Sequence, residues 1–399
     1  MQTIAEQYVR LVLAVGLHDP DYVDSYYGPA EWKPSTKAGL DELRVRTQSL
    51  QEELKKVSSG SESLESLRHN YLIQQLTAVA FRISMLSGTS FPFDQESRYL
   101  YDATAPTQPE SHFNEVLAEL EKRFPGKDPL VERYDAFRRP FVIPKERLDQ
   151  VFQTAIAACR ERTARNITLP EGESFTVEYV TNKSWSGYNW YQGGFKSLIQ
   201  VNTDLPIYID RAVDLACHEG YPGHHVYNAL LEQHLVKDRG WVEFTVYPLF
   251  SPQSLIAEGT ANYGIQVAFP GDQRVQYEQQ VLFPAAGIDP SRAREYYEVQ
   301  ALVDKLAYAG NEAARRYLNK EIDAAQAAAF LEKYALMTHD RAAQRVRFFD
   351  QYRSYVINYN LGKDMVRDYV EKRAAGEPAR RWQEFAALLS SPRLPSGLR

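Results

Sequence analysis

The chain has 399 residues, 44% hydrophobic and 25% charged, which excludes a disordered polypeptide and leaves length for one large core or two smaller ones. A formal net charge of −6 and a pI near 5.9 argue against nucleic acid or an anionic membrane as partner, because neither is drawn to an acidic surface. No run approaches the ~18 apolar residues that would span a bilayer.

In chain order, MQTIAEQYVRLVLAVGLH has an arginine inside its apolar stretch and no small-residue cleavage site. It reads as an amphipathic helix, not a signal peptide, and a cytoplasmic location is the expectation. Apolar residues at three- and four-residue intervals predict helices over 41–57, 65–86, 113–124 and 145–166. The segments between them, VSSGSES, GTSFPF, APTQPES and FPGKDP, carry turn and cap chemistry. Residues 1–168 are therefore expected as a helical bundle. From about 170 to 206 the sequence is rich in β-branched and aromatic residues, and FTVEYV and KSLIQVN read as two strands. SWSGYNWYQGG between them is expected as an aromatic loop, either packed on the bundle or offered to substrate. From Ile207 helical patterns return, including a long stretch from Asp340 to Tyr359. The fold expected is mainly α, one unit over 1–399 with lobes 1–168 and 169–399, and a small sheet inserted before the helix that leads into HEGYPGHH. Cys159 and Cys217 lie in apolar helical contexts and are expected to be reduced and buried.

The chemistry concentrates in HEGYPGHH, residues 218–225. Zinc hydrolases of the HExxH type place two histidines at i and i+4 on one helix face, with a glutamate beside the first as general base. Here His218 and Glu219 supply the first half, but Pro222 stands where the second ligand belongs. On a straight helix His225 would lie about 10 Å up the axis from His218, and His224 would be rotated off its face. Pro222 and Gly223 predict a bulge or break, and a two-residue insertion that loops out makes His224 a feasible second ligand. A capped, solvated helix end is the plainer alternative. Further on, SLIAEGTANYGIQV is an apolar helical pattern interrupted by Glu258, which needs a partner if buried: an arginine in the bundle or a zinc ion. Asn262, one turn beyond, and Asp214, one turn before His218, are candidates to hydrogen-bond a ligand histidine. His225 reads as a core histidine or as one supporting the ligands from behind.

HEGYPGHH followed by EGTANY resembles the HExxPGH and EGxAxY signatures of the bacterial family catalogued as domain of unknown function 885, a zincin-like group related to the glutamate-zincin peptidases. QVNTDLPIYIDRAVDLACHE upstream and YNLG at 359–362 extend the likeness over roughly the C-terminal half. The resemblance implies a large helical zincin-like fold in which His218, His224 and Glu258 bind one Zn2+ ion and Glu219 is the base. The implied activity is a metallopeptidase of carboxypeptidase or oligopeptidase type acting on short peptides. Tyr359, then Tyr355, are the candidate donors to a tetrahedral oxyanion. Arg353 is the candidate partner of a substrate carboxylate. The strand KSLIQVNTD, which carries Asn202, is expected at a sheet edge where an extended peptide could pair with it. Rival expectations are hydrolysis of small non-peptide amides, a zincin-fold binding protein without turnover, and a metal-free bundle.

Overall fold

The computed structural model describes residues 1–57 and 63–398. Its first part holds helices α1 (Gln2–Gly16), α2 (Leu40–Lys55), α3 (Leu64–Leu86), α4 (Phe93–Tyr101), α5 (Glu110–Arg123), α6 (Leu130–Arg138) and α7 (Leu148–Ala164), with a short strand, β1 (Val23–Tyr26), after α1. The four periodic segments thus fold as α2, α3, α5 and α7. The Ser63 side chain accepts a hydrogen bond from the Ser66 amide (3.1 Å), which caps α3; the rest of the predicted VSSGSES turn, 58–62, lies outside the described residues.

The inserted sheet has three strands, β2 (Ser174–Val180), β3 (Gly187–Gly193) and β4 (Lys196–Asn202), in the order β2-β4-β3. β2 runs parallel to β4, and β3 runs antiparallel to it. Two expectations are corrected here. The aromatic segment is largely the strand β3, because alternation of Asn189 and Tyr191 inward against Trp190 outward satisfies a two-residue period that its glycines obscure. KSLIQVN is the central strand, flanked on both sides, so it offers no edge for a peptide. Its buried residues Ser197, Ile199 and Val201 form the floor beneath the histidine motif.

The remainder is helical apart from β5 (Val246–Pro248), which pairs antiparallel with β1 and so ties the first residues of the chain to the half that carries the histidine motif. Helices α8 (Asp210–Leu215), α9 (His224–Leu231) and α10 (Pro252–Ala268) carry the motif and Glu258. After them come α11 (Gln273–Tyr277), α12 (Phe283–Ala286), α13 (Ala293–Val303), α14 (Ala309–Leu318), α15 (Ala324–Tyr334), α16 (His339–Tyr352), α17 (Ile357–Ala374) and α18 (Pro378–Leu389). The protein is mainly α, and one apolar cluster draws residues from Ile4 to Leu398. Every residue of α10 is buried except Asn262 and Gln266, as expected of a helix that is apolar nearly all round. It crosses α17 closely: a Cβ at Gly259 would come 2.5 Å from the Gly362 carbonyl oxygen, so only glycine permits the crossing that sets Glu258 beside the start of α17.

The predicted helix from Asp340 to Tyr359 is instead two helices. Arg353, with φ of +52°, breaks the chain between α16 and a 3-10 turn, Arg353–Val356, that leads into α17. Glu96 of α4 holds the break, accepting from Arg353 Nε (2.8 Å), the Ser354 amide (3.1 Å) and Ser354 Oγ (2.6 Å). Cys159 and Cys217 are both buried free thiols, as expected, and face each other between α7 and the motif.

Candidate metal centre

The motif resolves the spacing problem by leaving the α-helix. After α8 the backbone widens into a π turn, Ala216–Gly220, then leaves the helix and restarts as α9 at His224. The Gly223 amide reaches back to the Cys217 carbonyl (2.9 Å). A Cβ at Gly223 would lie 1.9 Å from the His218 carbonyl oxygen, so no other residue fits this return. Insertions of this type concentrate at functional sites. Here the result is that His218 and His224, six apart in sequence, bring their rings to a centroid separation of 4.7 Å.

Three atoms converge between these rings and α10. His218 Nε2 and His224 Nε2 are 3.1 Å apart, and Glu258 Oε2 lies 3.3 Å from the first and 3.7 Å from the second. Ligand atoms on a tetrahedral zinc, each ~2.0–2.1 Å from the ion, stand about 3.3 Å from one another. The triangle therefore has the edge lengths of three such ligands. Glu258 Oε2 is buried and accepts no hydrogen bond, an uncommon condition for a carboxylate oxygen. The donor set of two imidazoles and one carboxylate suits zinc.

Neighbouring side chains fix the orientation of the three. Asn262 accepts from His218 Nδ1 through Oδ1 (3.2 Å) and donates through Nδ2 to the carbonyls of Glu258 (3.0 Å) and Tyr359 (3.3 Å). Those two carbonyls settle which end of the amide faces the ring, so His218 carries its proton on Nδ1 and turns the Nε2 lone pair toward the triangle. Tyr355, on the 3-10 turn made by the break at Arg353, donates its hydroxyl to Glu258 Oε1 (2.8 Å). Glu219 stands farther off, with Oε1 3.9 Å from His218 Nε2, although His218, Glu219 and His224 also form a compact group with ligand atoms within 4.8 Å of one another. Burial pushes the Glu219 carboxyl up to about 7, against the pull of His224.

All of these groups line one cleft of about 1090 Å3, together with Tyr359. Burial and the Glu258 charge push the Tyr359 hydroxyl well above its ordinary value, so it stays a neutral donor. Asp24, on β1, is a wall residue that sequence reasoning missed. It accepts a hydrogen bond from Tyr188, and burial pushes it up to about 6 against that bond and the pull of His224. No local signal in DYVDSYY marks it; the β1–β5 pairing brings it to the site.

Four expected residues are placed elsewhere. His225 points the opposite way from His224, between Ser197 Oγ and Glu173 Oε2 (2.9 Å each), and does not touch the ligands. Asp214 lines the cleft but pairs with Arg211 (3.1 Å) and Arg274 (2.9 Å), leaving the support of His218 to Asn262. Arg353 is spent on Glu96. The Asn202 side chain donates to the Lys183 (3.1 Å) and Trp185 (2.9 Å) carbonyls and so shapes the loop before β3.

No family model matches the chain, and no curated protein does. Among solved structures, the chain is similar to a Colwellia psychrerythraea protein provisionally described as a lipoprotein, at 17% identity and a TM-score of 0.53, covering 92% of this chain and 69% of that one. A Shewanella oneidensis protein of unknown function, described in the same provisional way, aligns at 12% identity and a TM-score of 0.46, over 88% of this chain and 72% of its own. The first likeness is one of fold. Among the described residues no helix is long and apolar enough to cross a membrane.

Proposed function

We propose that the protein is a zinc-dependent metallopeptidase of the zincin type that cleaves short peptides, with His218, His224 and Glu258 as the metal ligands. The observation that carries this reading is the buried, unbonded Glu258 Oε2 at zinc-ligand spacing from two imidazole nitrogens. The sequence resemblance to the HExxPGH family supports it independently. Zinc held there would polarise a scissile carbonyl and lower the pKa of a water molecule toward ~7.

The protein's own groups divide the remaining work. Glu219, buried and facing the cleft, accepts the proton of the attacking water and returns it to the leaving amine. Tyr359 donates to the oxyanion that develops on the carbonyl. Tyr355 acts through Glu258 as a positioning residue. The edge strand β3, whose residues Gly187–Asn189 line the cleft, takes over from β4 as the strand that would pair with an extended substrate. A cleft of about 1090 Å3 is at the upper end for small-molecule sites, which favours peptides over small amides. A cytoplasmic setting is kept as part of the proposal. The description of the Colwellia protein as a lipoprotein points outward instead, and cell fractionation decides between them.

The test is elemental analysis of the purified protein beside a peptide-cleavage assay of Glu219→Gln. The expected result is near-stoichiometric zinc in both proteins, with hydrolysis lost by about 10²–10⁴ in the variant. A parent protein that holds no zinc and shows no rise in melting temperature when zinc is added overturns the reading.

A further inference from the structure

Among the described residues, the cleft contains one arginine, Arg345, with neither an ion pair nor a hydrogen bond; Lys363 in the same lining also has neither, but its charge acts on the acids Asp214 and Asp304. The other arginines are occupied: Arg211 pairs with Asp214, Arg274 with Asp214 and Glu278 (2.9 Å each), and Arg381 with Glu371 (2.7 Å). Arg341 donates to the Pro206 carbonyl (2.9 Å). Arg345, on α16, lines the same cleft as His218, His224 and Glu258. Among the described residues it has no ion-pair or hydrogen-bond partner, and its Nε is shut off from solvent. Aromatic rings hold it instead: its Cζ lies 4.6 Å from the centre of Phe348 and 5.7 Å from those of Phe349 and Tyr359. Such stacking fixes the plane of a guanidinium while leaving its N–H edge available.

A half-buried guanidinium without an anion is costly. The acids of the cleft leave it unpaired: the Glu258 charge offsets part of the burial cost but makes no ion pair with it, Glu219 is reserved for the proposed base role, and Asp24 accepts from Tyr188. An anion supplied by the substrate would complete the site, and a planar fork of donors matches a carboxylate. We propose that Arg345 binds the C-terminal carboxylate of the peptide substrate, so that the protein cleaves near the C-terminus of short peptides with a free end. This rests on the peptidase reading above, and it transfers to Arg345 the role expected of Arg353, which lies eight residues further along and is committed to Glu96. Tyr359 places the anchor beside the reacting centre, because its ring contacts Arg345 while its hydroxyl serves the carbonyl.

The experiment uses two tetrapeptide libraries of identical sequences, one with free C-terminal acids and one with C-terminal amides. Cleavage is followed by mass spectrometry with the zinc-loaded parent, Arg345→Gln and Arg345→Lys. The expected result is that the parent cleaves acids at least about tenfold faster than amides. The ratio falls to near one in Arg345→Gln and is partly retained in Arg345→Lys. Equal cleavage of the two libraries by the parent, or a preference that survives Arg345→Gln, overturns the proposal. So does a preference confined to peptides with an internal Asp or Glu, which would assign Arg345 to a side-chain carboxylate.

A second arm does not depend on turnover: retention of both libraries on immobilised Glu219→Gln protein, with and without Arg345→Gln. If the parent cleaves neither library but acids are retained through Arg345, the peptidase reading fails and the carboxylate site stands. If acids are not retained over amides, the site falls. Arg345→Gln gives up its aromatic contacts but no ion pair, so it is expected to melt no more than a few degrees below the parent; a larger drop would reveal a structural role and count against the proposal.

Discussion

His224 and His225 are adjacent in the chain, and each meets a cluster of histidine and carboxylate, yet the clusters are opposite in kind. Behind the motif, His225 bridges Ser197 and Glu173, and Glu173 also accepts from Tyr221 (2.5 Å) and Arg160 (2.7 Å). Those polar groups satisfy one another. In front, His218, His224 and Glu258 face one another with an unbonded oxygen between two imidazole nitrogens. Residue types alone do not distinguish the two clusters. What separates them is the state of their lone pairs: one set is spent within the protein, and the other converges on a common point, as metal ligands do.

The sharpest way to break this comparison is to remove each histidine in turn. His224→Ala is expected to lose zinc and turnover together. His225→Ala should keep zinc and instead lose about 1–3 kcal/mol of stability, the cost of stranding buried partners, measured by urea denaturation in excess zinc. Zinc loss in the second variant and not in the first would reverse the assignment of the two faces.

A smaller effect separates the two tyrosines that border the front cluster. Tyr355→Phe removes the donor to Glu258 Oε1 and should weaken zinc affinity by about 10–100-fold, read by competition with a chelator. Tyr359→Phe should leave affinity near that of the parent and lower kcat by about 10²–10³. If Tyr355→Phe lowers kcat at saturating zinc as much as Tyr359→Phe does, the division between positioning and oxyanion roles is wrong.

The difference between the clusters also explains what could be read in the sequence. The helices of the first half follow from period and punctuation, because each buries one apolar stripe, most in the main cluster and α5 in a second one. The triad His218, Glu219 and His224 was legible because proline and glycine in HEGYPGHH demand a departure from the helix. Glu258 was legible because it interrupts an apolar pattern. By contrast, β3 was hidden by glycine and aromatic residues, and the break before α17 by a continuous helical period. Nothing in the local sequence announces that Glu96, some 250 residues earlier, will bind Arg353 and Ser354. Arg345 and Asp24 were missed for the same reason: an unpaired charge, or one turned toward a site, is defined by what tertiary packing leaves around it. Sequence reasoning assigned the carboxylate partner to Arg353, on the segment of the tyrosines, whereas in the fold Arg353 has an anion and Arg345 has none.

The gentlest test addresses the rear cluster by pH. Burial raises the Glu173 carboxyl, but hydrogen bonds from His225, Tyr221 and Arg160 outweigh it and bring the group from 4.5 down to about 2. A carboxyl depressed in the folded state contributes stability that is fully present above its unfolded value and is lost as pH falls from about 4.5 toward 2. Glu173→Gln should therefore be less stable than the parent at pH 7, with a gap that shrinks to roughly 40% of that size at pH 3 and closes toward pH 2, and with zinc content at pH 7 unchanged. The comparison is best made between apo proteins, so that proton competition at the metal ligands does not enter the acid limb. A gap between parent and variant that is as wide at pH 3 as at pH 7 would mean that Glu173 acts through packing and not through its charge. In that case the rear cluster would no longer be the ionically satisfied counterpart of the proposed metal centre.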